Sequence, residues 1–465
     1  MFYICANNVR MKQINNSNEK FTQLLKRYET DLSGRYFDAE EIEEIAEFYL
    51  RRMRIKEAKR AIEFGLKLHP SNLFLEVCRV RIFIELSDFG SALQAITRLS
   101  AENEFDFDIL LLKGEILLKS NIEDEAKETF QILLDNAEGD VDETYLDIAY
   151  VYLGAQKYQK ALDILLLGYL KNNENQTILS EIAFCYEQLD EIEKAIYTYE
   201  KILNINPYSN EAWFNLGQVY FSQGNFPKAI EAYEFATTID EDDAIAWQLK
   251  AHSYYQNDNY KKAAESYLIY AEKSEHKESP TLFAAECYEK MEDYDMAIHY
   301  YSIVLETQPK NAEALVGMGI CFSEKESFQD SINYFLEALK IEPDASETWV
   351  YLGEAYINSD KTEEGLTAYL KATELDDNQP ETHVSIGNLY LEKTDYQLAL
   401  DYYLRAFEQD NSAENIKLLI AMAYFGLEDY QLAQSYLEEA ITLNSESVNL
   451  FLEVFPDALK KLTIN

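Results

Sequence analysis

Self-similarity at a period of 34 residues constrains this chain more than any other feature. Residues 212–236, AWFNLGQVYFSQGNFPKAIEAYEFA, align with residues 348–372, TWVYLGEAYINSDKTEEGLTAYLKA, at a displacement of 136, four times 34. Stepping by 34 in both directions gives twelve units, beginning at 39, 73, 107, 142, 176, 210, 244, 278, 312, 346, 380 and 414, with one residue inserted near Gly139 and Asp140. A length of 465 residues would otherwise suggest about two to four globular domains; a fixed period replaces them with one elongated array.

Chemistry recurs in phase. The eighth place of each unit carries Ala or Gly in every repeat but the second, where it is Val80; the twentieth carries Ala, Ser331 or Gly365 without exception. If small residues make up roughly a fifth of an average chain, twelve in a row at one phase has a chance of order a few billionths. Two antiparallel helices approach closely only where neither carries bulk, so a small residue on each is expected to set the crossing point. The eleventh place supplies volume with Tyr49, Phe83, Leu117, Tyr152 and eight further aromatic residues through Tyr424, which accounts for many of the 35 tyrosines as packing. Within each unit, apolar residues follow helical spacing over two segments of about 14 residues separated by a turn such as Gln223-Gly224-Asn225, and Pro70, Pro207, Pro309 and Pro343 close four of the units. Each unit reads as a helical hairpin that cannot bury its apolar faces alone, so neighbours must stack into a superhelix.

The totals bound the function. Hydrophobic content of 47% supports a continuous core, and 84 acidic against 41 basic residues give a formal charge of −43. Nucleic-acid and anionic-membrane binding both require basic surface, so neither is expected, and a basic or apolar protein partner fits better. Five dispersed cysteines, without a CxxC pair or Cys/His cluster, read as reduced core thiols of a cytoplasmic chain. The opening MFYICANNVR lacks a basic region ahead of its short apolar stretch, so it does not read as a secretory signal, and no window of about 18 apolar residues predicts a membrane span. Whether Met1 or Met11 is the natural start stays open.

The phased residues resemble the tetratricopeptide repeat family, whose motif has a large residue at place 4, Leu at 7, Gly or Ala at 8, Tyr at 11, Ala at 20, an aromatic at 24, Ala at 27 and Pro at 32. Repeat 6 carries Trp213, Leu216, Gly217, Tyr220, Ala229, Tyr233 and Ala236, and departs only at Glu241. Repeats 2 and 3 match least, with Arg79 and Lys113 at place 7 and Leu99 and Leu133 at place 27, and their stacking is expected to be looser or differently angled. The resemblance implies an all-α, right-handed α-solenoid of about twelve repeats over 39–447. Around it we expect a disordered stretch over 1–16, a leading helix over 17–38 and a closing helix over 448–465 that caps the array or joins two copies as a homodimer.

The resemblance further implies a concave groove lined by the first helix of each repeat at places 2, 5, 9, 12 and 13. In the middle repeats these are Leu146, Tyr150, Phe184, Glu187, Glu211, Phe214, Gln218, Phe221, Gln248, His252 and Tyr255, and further along Glu286, Glu289, Glu313, Glu324, Glu347, Glu354, Asn388 and Glu392. Such a groove favours a peptide or protein segment with apolar anchors and Lys or Arg, although glutamate is also simply a soluble helix former. The family's chaperone-type clamp for a C-terminal carboxylate uses Lys and Asn at places 5 and 9; here those places hold Phe214 and Gln218 in repeat 6, and Val350 and Glu354 in repeat 10, so that use is not expected. The run LRRMRIKEAKR over 50–60 opposes the acidic trend and reads as a solvated face, or as a dock for an acidic partner or another copy.

No catalytic motif is present, and His69, His252, His276, His299 and His383 fall at unrelated phases. No catalytic residue, metal or cofactor is therefore expected. The function read from the sequence is a protein-interaction scaffold; the alternatives are an accessory subunit that recruits substrates for an enzyme supplied by a partner chain, and a self-assembling structural protein.

Overall fold

A computed structural model of the chain describes residues 14–30, 36–137, 141–411 and 415–462. The insertion near Gly139 and Asp140, the choice between Met1 and Met11, Cys5 and most of the expected disordered N-terminus lie outside the described residues. The rest is helical, with no strand among the described residues. Two compact units, 1–219 and 220–465, divide the chain.

Each repeat is a hairpin of a first helix at about places 1–13 and a second at places 17–30, as in Gln176–Gln188 with Ile192–Ile205 in the first unit and Glu278–Lys290 with Tyr294–Thr307 in the second. The turn between them is the same throughout. Place 15 is left-handed in all twelve repeats, from Asp258 at φ 55° to Gly224 at φ 68°, and only Gly224 is a glycine. Its φ lets the N–H of place 16 reach back to the carbonyl of place 11, at 2.8–3.0 Å in every repeat, which caps the first helix. Place 16 then starts the second helix. Where it is Asp or Asn the side chain accepts a backbone N–H of the first turn, as Asp88 does from Ser91 at 3.1 Å and Asp293 from Met296 at 3.2 Å.

Packing refines the reason for the small residues. A Cβ built on Gly353, at place 8, would lie 2.6 Å from Cδ1 of Tyr369, at place 24; Gly114, Gly319 and Gly387 meet Phe130, Phe335 and Tyr403 in the same way. Place 8 is small chiefly to admit the ring of place 24, not to touch place 20. The close approach of backbones comes from place 20, where a Cβ on Gly365 would lie 3.1 Å from the Gly353 carbonyl oxygen.

The ends differ from the expected bounds. In the first unit the leading helix spans Ile14–Thr30, so it includes residues 14–16 and stops short of 38; Leu24, Leu25 and Tyr28 pack against the first hairpin, and Arg27 pairs with Glu41 at 2.6 Å. In the second unit the closing helix Ser447–Val454 breaks ahead of Pro456, whose ring and missing N–H exclude it from a helix interior, and a 3-10 turn follows over Ala458–Lys460. Phe451, Ala458 and Leu462 are buried against the last hairpin, beside Phe425 and Leu437. Cys78, Cys185, Cys287 and Cys321 are free and buried, their thiols pushed up to about 12 by burial. No helix among the described residues is long and apolar enough to cross a membrane.

Candidate functional site

In the first unit two of the candidate residues, Glu187 and Glu211, act on Tyr199, buried at place 24 of repeat 5. Its hydroxyl donates to Glu187 Oε1 at 2.6 Å, and the carboxylates of Glu181 and Glu211 are near enough to act on it. Tyr150, one repeat earlier, hydrogen-bonds Glu181. Leu146 packs half-buried on the core of repeats 3 to 5. Phe184 stands apart, 39% exposed and edge-on to Tyr158 with centroids 6.4 Å apart. Phe214 is half-buried, and Gln218 and Glu211 are exposed.

In the second unit the candidates form an aromatic stretch followed by an acidic one. His252 Nδ1 lies 2.8 Å from the Tyr267 hydroxyl, and its ring is edge-on to Tyr267 and Phe283 at 5.4 and 5.8 Å. Burial holds its pKa below the ordinary imidazole range, so the ring is neutral near pH 7 and serves as a hydrogen-bonding wall; the Gln248 backbone, one turn earlier, is bonded to it. Phe221 and Tyr255, at place 12, each meet place 17 of the same turn edge to face, Phe226 at 5.5 Å and Tyr260 at 5.4 Å. Next to Tyr255 the carboxylates of Glu286 and Glu289 begin the acidic stretch, which Glu313, Glu324 and Glu354 continue on the first helices of repeats 9 and 10.

Glu286 and Glu289 are half-buried, and like charges crowd them. Burial, then Glu313 and Glu289, raise Glu286 to about 7 against a partial offset from Lys290. Glu289 and Glu354 are raised by burial as well, the former despite accepting from the Tyr301 hydroxyl at 2.7 Å. The first unit repeats the pattern. Burial and then Glu47 lift Glu43 to about 7, burial and then Glu143 lift Asp147 to about 6, and burial raises Glu181 and Glu187. An opposite charge arriving at such a face would relieve the cost of holding these groups ionised.

Sequence reasoning passed over the place-24 tyrosines. Besides Tyr199 and Tyr301, Tyr403 donates to Asn388 Oδ1 at 2.8 Å, so a ring read as packing also carries a hydroxyl to the first helix. The available signal was Tyr in preference to Phe at place 24 in every repeat from the fifth to the eleventh except at Phe335. Asp147 and Glu181, at place 6, lie outside the places that the family resemblance assigns to the groove. Two other histidines serve local structure: His69 Nε2 lies 2.8 Å from the Phe37 carbonyl, and buried His383 2.9 Å from that of Asp377. Among the described residues no group of three or more His, Cys, Asp or Glu is placed to hold a metal ion.

Over 128 residues the chain is 28% identical to the transcription factor tau 131 kDa subunit of Saccharomyces cerevisiae, a match that takes in 26% of this chain and 12% of that protein. Solved structures with similarity include the APC/C hetero-tetramer Cut9-Hcn1, at 16% identity and TM-score 0.38 over 86% of this chain and 98% of that one. Others are YrrB, described as a TPR protein with an unusual peptide-binding site (17%, TM-score 0.34, 40% and 95%), and MamA from Desulfovibrio magneticus RS-1 (18%, 0.34, 37% and 97%). Family models described as tetratricopeptide repeat match residues 79–141, 211–243, 285–346, 322–380, 380–412 and 415–447, and one described as TPR repeat matches 186–224. With these matches taking in more than half of its residues, and with the hairpin geometry above, the chain belongs to the tetratricopeptide repeat family.

Proposed function

We propose that this chain is a non-catalytic adaptor whose first-helix faces hold a protein segment bearing apolar side chains and Lys or Arg. One observation carries the reading: in each unit, half-buried carboxylates with raised pKa stand on those faces beside aromatic side chains, as Glu286 and Glu289 do beside Tyr255 and Glu181 does against Tyr150. A Lys or Arg side chain placed there exchanges carboxylate repulsion for attraction, and its aliphatic stem covers the rings. The four buried free thiols support a reducing, cytoplasmic compartment. Likeness to a transcription factor subunit favours work as one member of a larger assembly over work alone.

The test is fluorescence anisotropy with a labelled amphipathic peptide of about 16 residues rich in Lys and Leu. Affinity should fall as pH drops from about 8 to about 6, because the raised carboxylates take up protons across that range. Glu286→Gln with Glu289→Gln should weaken binding by about tenfold at pH 8. A pH-independent affinity, or one unchanged by the double substitution, would refute the proposal.

A further inference from the structure

A second surface, of opposite charge, lies in the first unit. A cleft of about 380 Å³ opens between the second helix of repeat 1 (Ile55–Leu68) and the first helix of repeat 2 (Leu73–Glu85). Its floor is apolar, formed by Ile62, Leu66, Ile82 and Phe83, and its rim carries Lys59, Lys67 and Arg79 against a single carboxylate, Glu63.

The cations are only partly neutralised: Lys59 has Glu63 at 3.9 Å, but the others share or lack a partner. Arg79 pairs with Glu76, but Arg98 approaches the same Glu76 oxygen at 3.2 Å, so one carboxylate, with its side chain 12% exposed, serves two guanidinium groups. The Nε of Arg79 is buried without a hydrogen-bond partner. Lys67 is exposed and has no carboxylate within 4.0 Å among the described residues. Arg79 occupies place 7, where Ile45, Ile182, Leu216, Leu352 and Ile386 put an apolar side chain into the core. Only Lys113 and Lys250 share a cation at this place. A guanidinium where most repeats pack an apolar side chain, next to a cleft with cations to spare, is costly for folding alone, since a buried donor left unpaired forfeits its hydration. The run 50–60, to which Lys59 belongs, holds six Lys and Arg against one Glu, in a chain whose acidic residues outnumber its basic ones two to one.

We infer that this cleft docks an acidic amphipathic segment of a partner protein. An apolar side chain of the segment seats on Ile62, Leu66, Ile82 and Phe83, while its Asp or Glu residues pair with Lys59, Lys67 and Arg79. The apolar floor selects a protein segment over a phosphate backbone, which offers charge without an apolar anchor. With the acidic first-helix faces, the chain would then present two surfaces of opposite polarity and could hold a basic and an acidic partner together. The inference does not depend on the first-helix proposal, because the residues and the charge sign differ.

The experiment titrates the full chain with a labelled, helix-forming peptide of about 16 residues, with Leu and Phe at i and i+4 spacing and Glu elsewhere, and with a permuted peptide of equal composition whose apolar residues are scattered. Anisotropy should report binding of the first peptide, weakened by salt, and at least about tenfold weaker binding of the permuted one. Arg79→Leu, which installs the apolar residue type that most other repeats carry at place 7, and Lys67→Glu, on an exposed side chain, should each weaken binding about tenfold, while Glu286→Gln leaves it unchanged. No binding, equal binding of the permuted peptide, or an affinity indifferent to both Arg79→Leu and Lys67→Glu would overturn the inference. So would sedimentation showing that the free chain self-associates and that Arg79→Leu separates it, because the cleft would then belong to a second copy.

Discussion

Replacing Glu286 with Gln should make the protein more stable at high pH. Glu286 lies at place 9 of repeat 8, half-buried, with Glu313 and Glu289 as like-charged neighbours and Lys290 as the one nearby cation acting on it. Its pKa is about 7 folded, against 4.5 for a solvated glutamate. Between those values the folded chain keeps a proton that the unfolded chain has released, so stability falls as pH rises through the window; the cost is absent below about 4.5 and complete above about 7. A tenfold change in proton affinity corresponds to about 1.4 kcal/mol, so the gap between the two values sets a ceiling of about 3 kcal/mol, and partial access to solvent reduces it to about 1–2 kcal/mol. Glutamine keeps the volume and cannot ionise. Urea unfolding of the two proteins at intervals from about pH 5 to about pH 8.5 should give midpoints that coincide at the acid end and separate in favour of Glu286→Gln toward the alkaline end. Amide exchange in Glu278–Lys290 would localise the gain, because stability in a repeat array is summed from local terms. A midpoint difference that is flat with pH, or a variant less stable at pH 8, would refute the reasoning.

Thr394 is exposed, β-branched and left-handed at φ 59°; Thr394→Gly should stabilise repeat 11 by about 1 kcal/mol, the relief of the left-handed strain less the entropy glycine adds to the unfolded chain, as read by amide exchange. Gly387→Ala should destabilise the same repeat by about 1–2 kcal/mol in urea, since the new Cβ would fall 2.6 Å from Cδ1 of Tyr403. Ser327→Asp should add about 0.5–1 kcal/mol, because Ser327 makes no side-chain cap at φ −90° while Asp293, at φ −86°, caps from the same place. A thermal melt of Ser327→Asp with no upward shift would count against that assignment.

The fold was legible because it is written twelve times. Small residues at places 8 and 20 and a ring at place 11 recur whatever the exposed positions do, so the all-α repeat fold and the family could be read from residue types and spacing alone. The turn was less legible. Met53, Gln156 and Glu326 carry no sign of positive φ, and Gly224 alone advertises what the capping bonds impose on every repeat. The faces were read only as residue types. Periodicity assigns Glu286 to a helix face, but its cost depends on Glu313 and Glu289 being close, and that depends on how one repeat stacks on the next. Tyr199 falls at the family's aromatic place 24; that its hydroxyl reaches Glu187 depends on how the ring passes its own repeat's first helix, which no single hairpin pattern specifies.

The left-handed residue at place 15 has a consequence for how such a chain can change. Eleven of the twelve turns carry a side chain where glycine would fit with less strain, and Met53, Glu326 and Thr394 among them are exposed. Each is a small dial, worth about 1 kcal/mol, in a turn and not among the first-helix carboxylates or the residues that line the cleft. A lineage can therefore tune how firmly any one repeat is held without altering what either surface binds, and a destabilising change on a binding face can be offset a few residues away in the same hairpin.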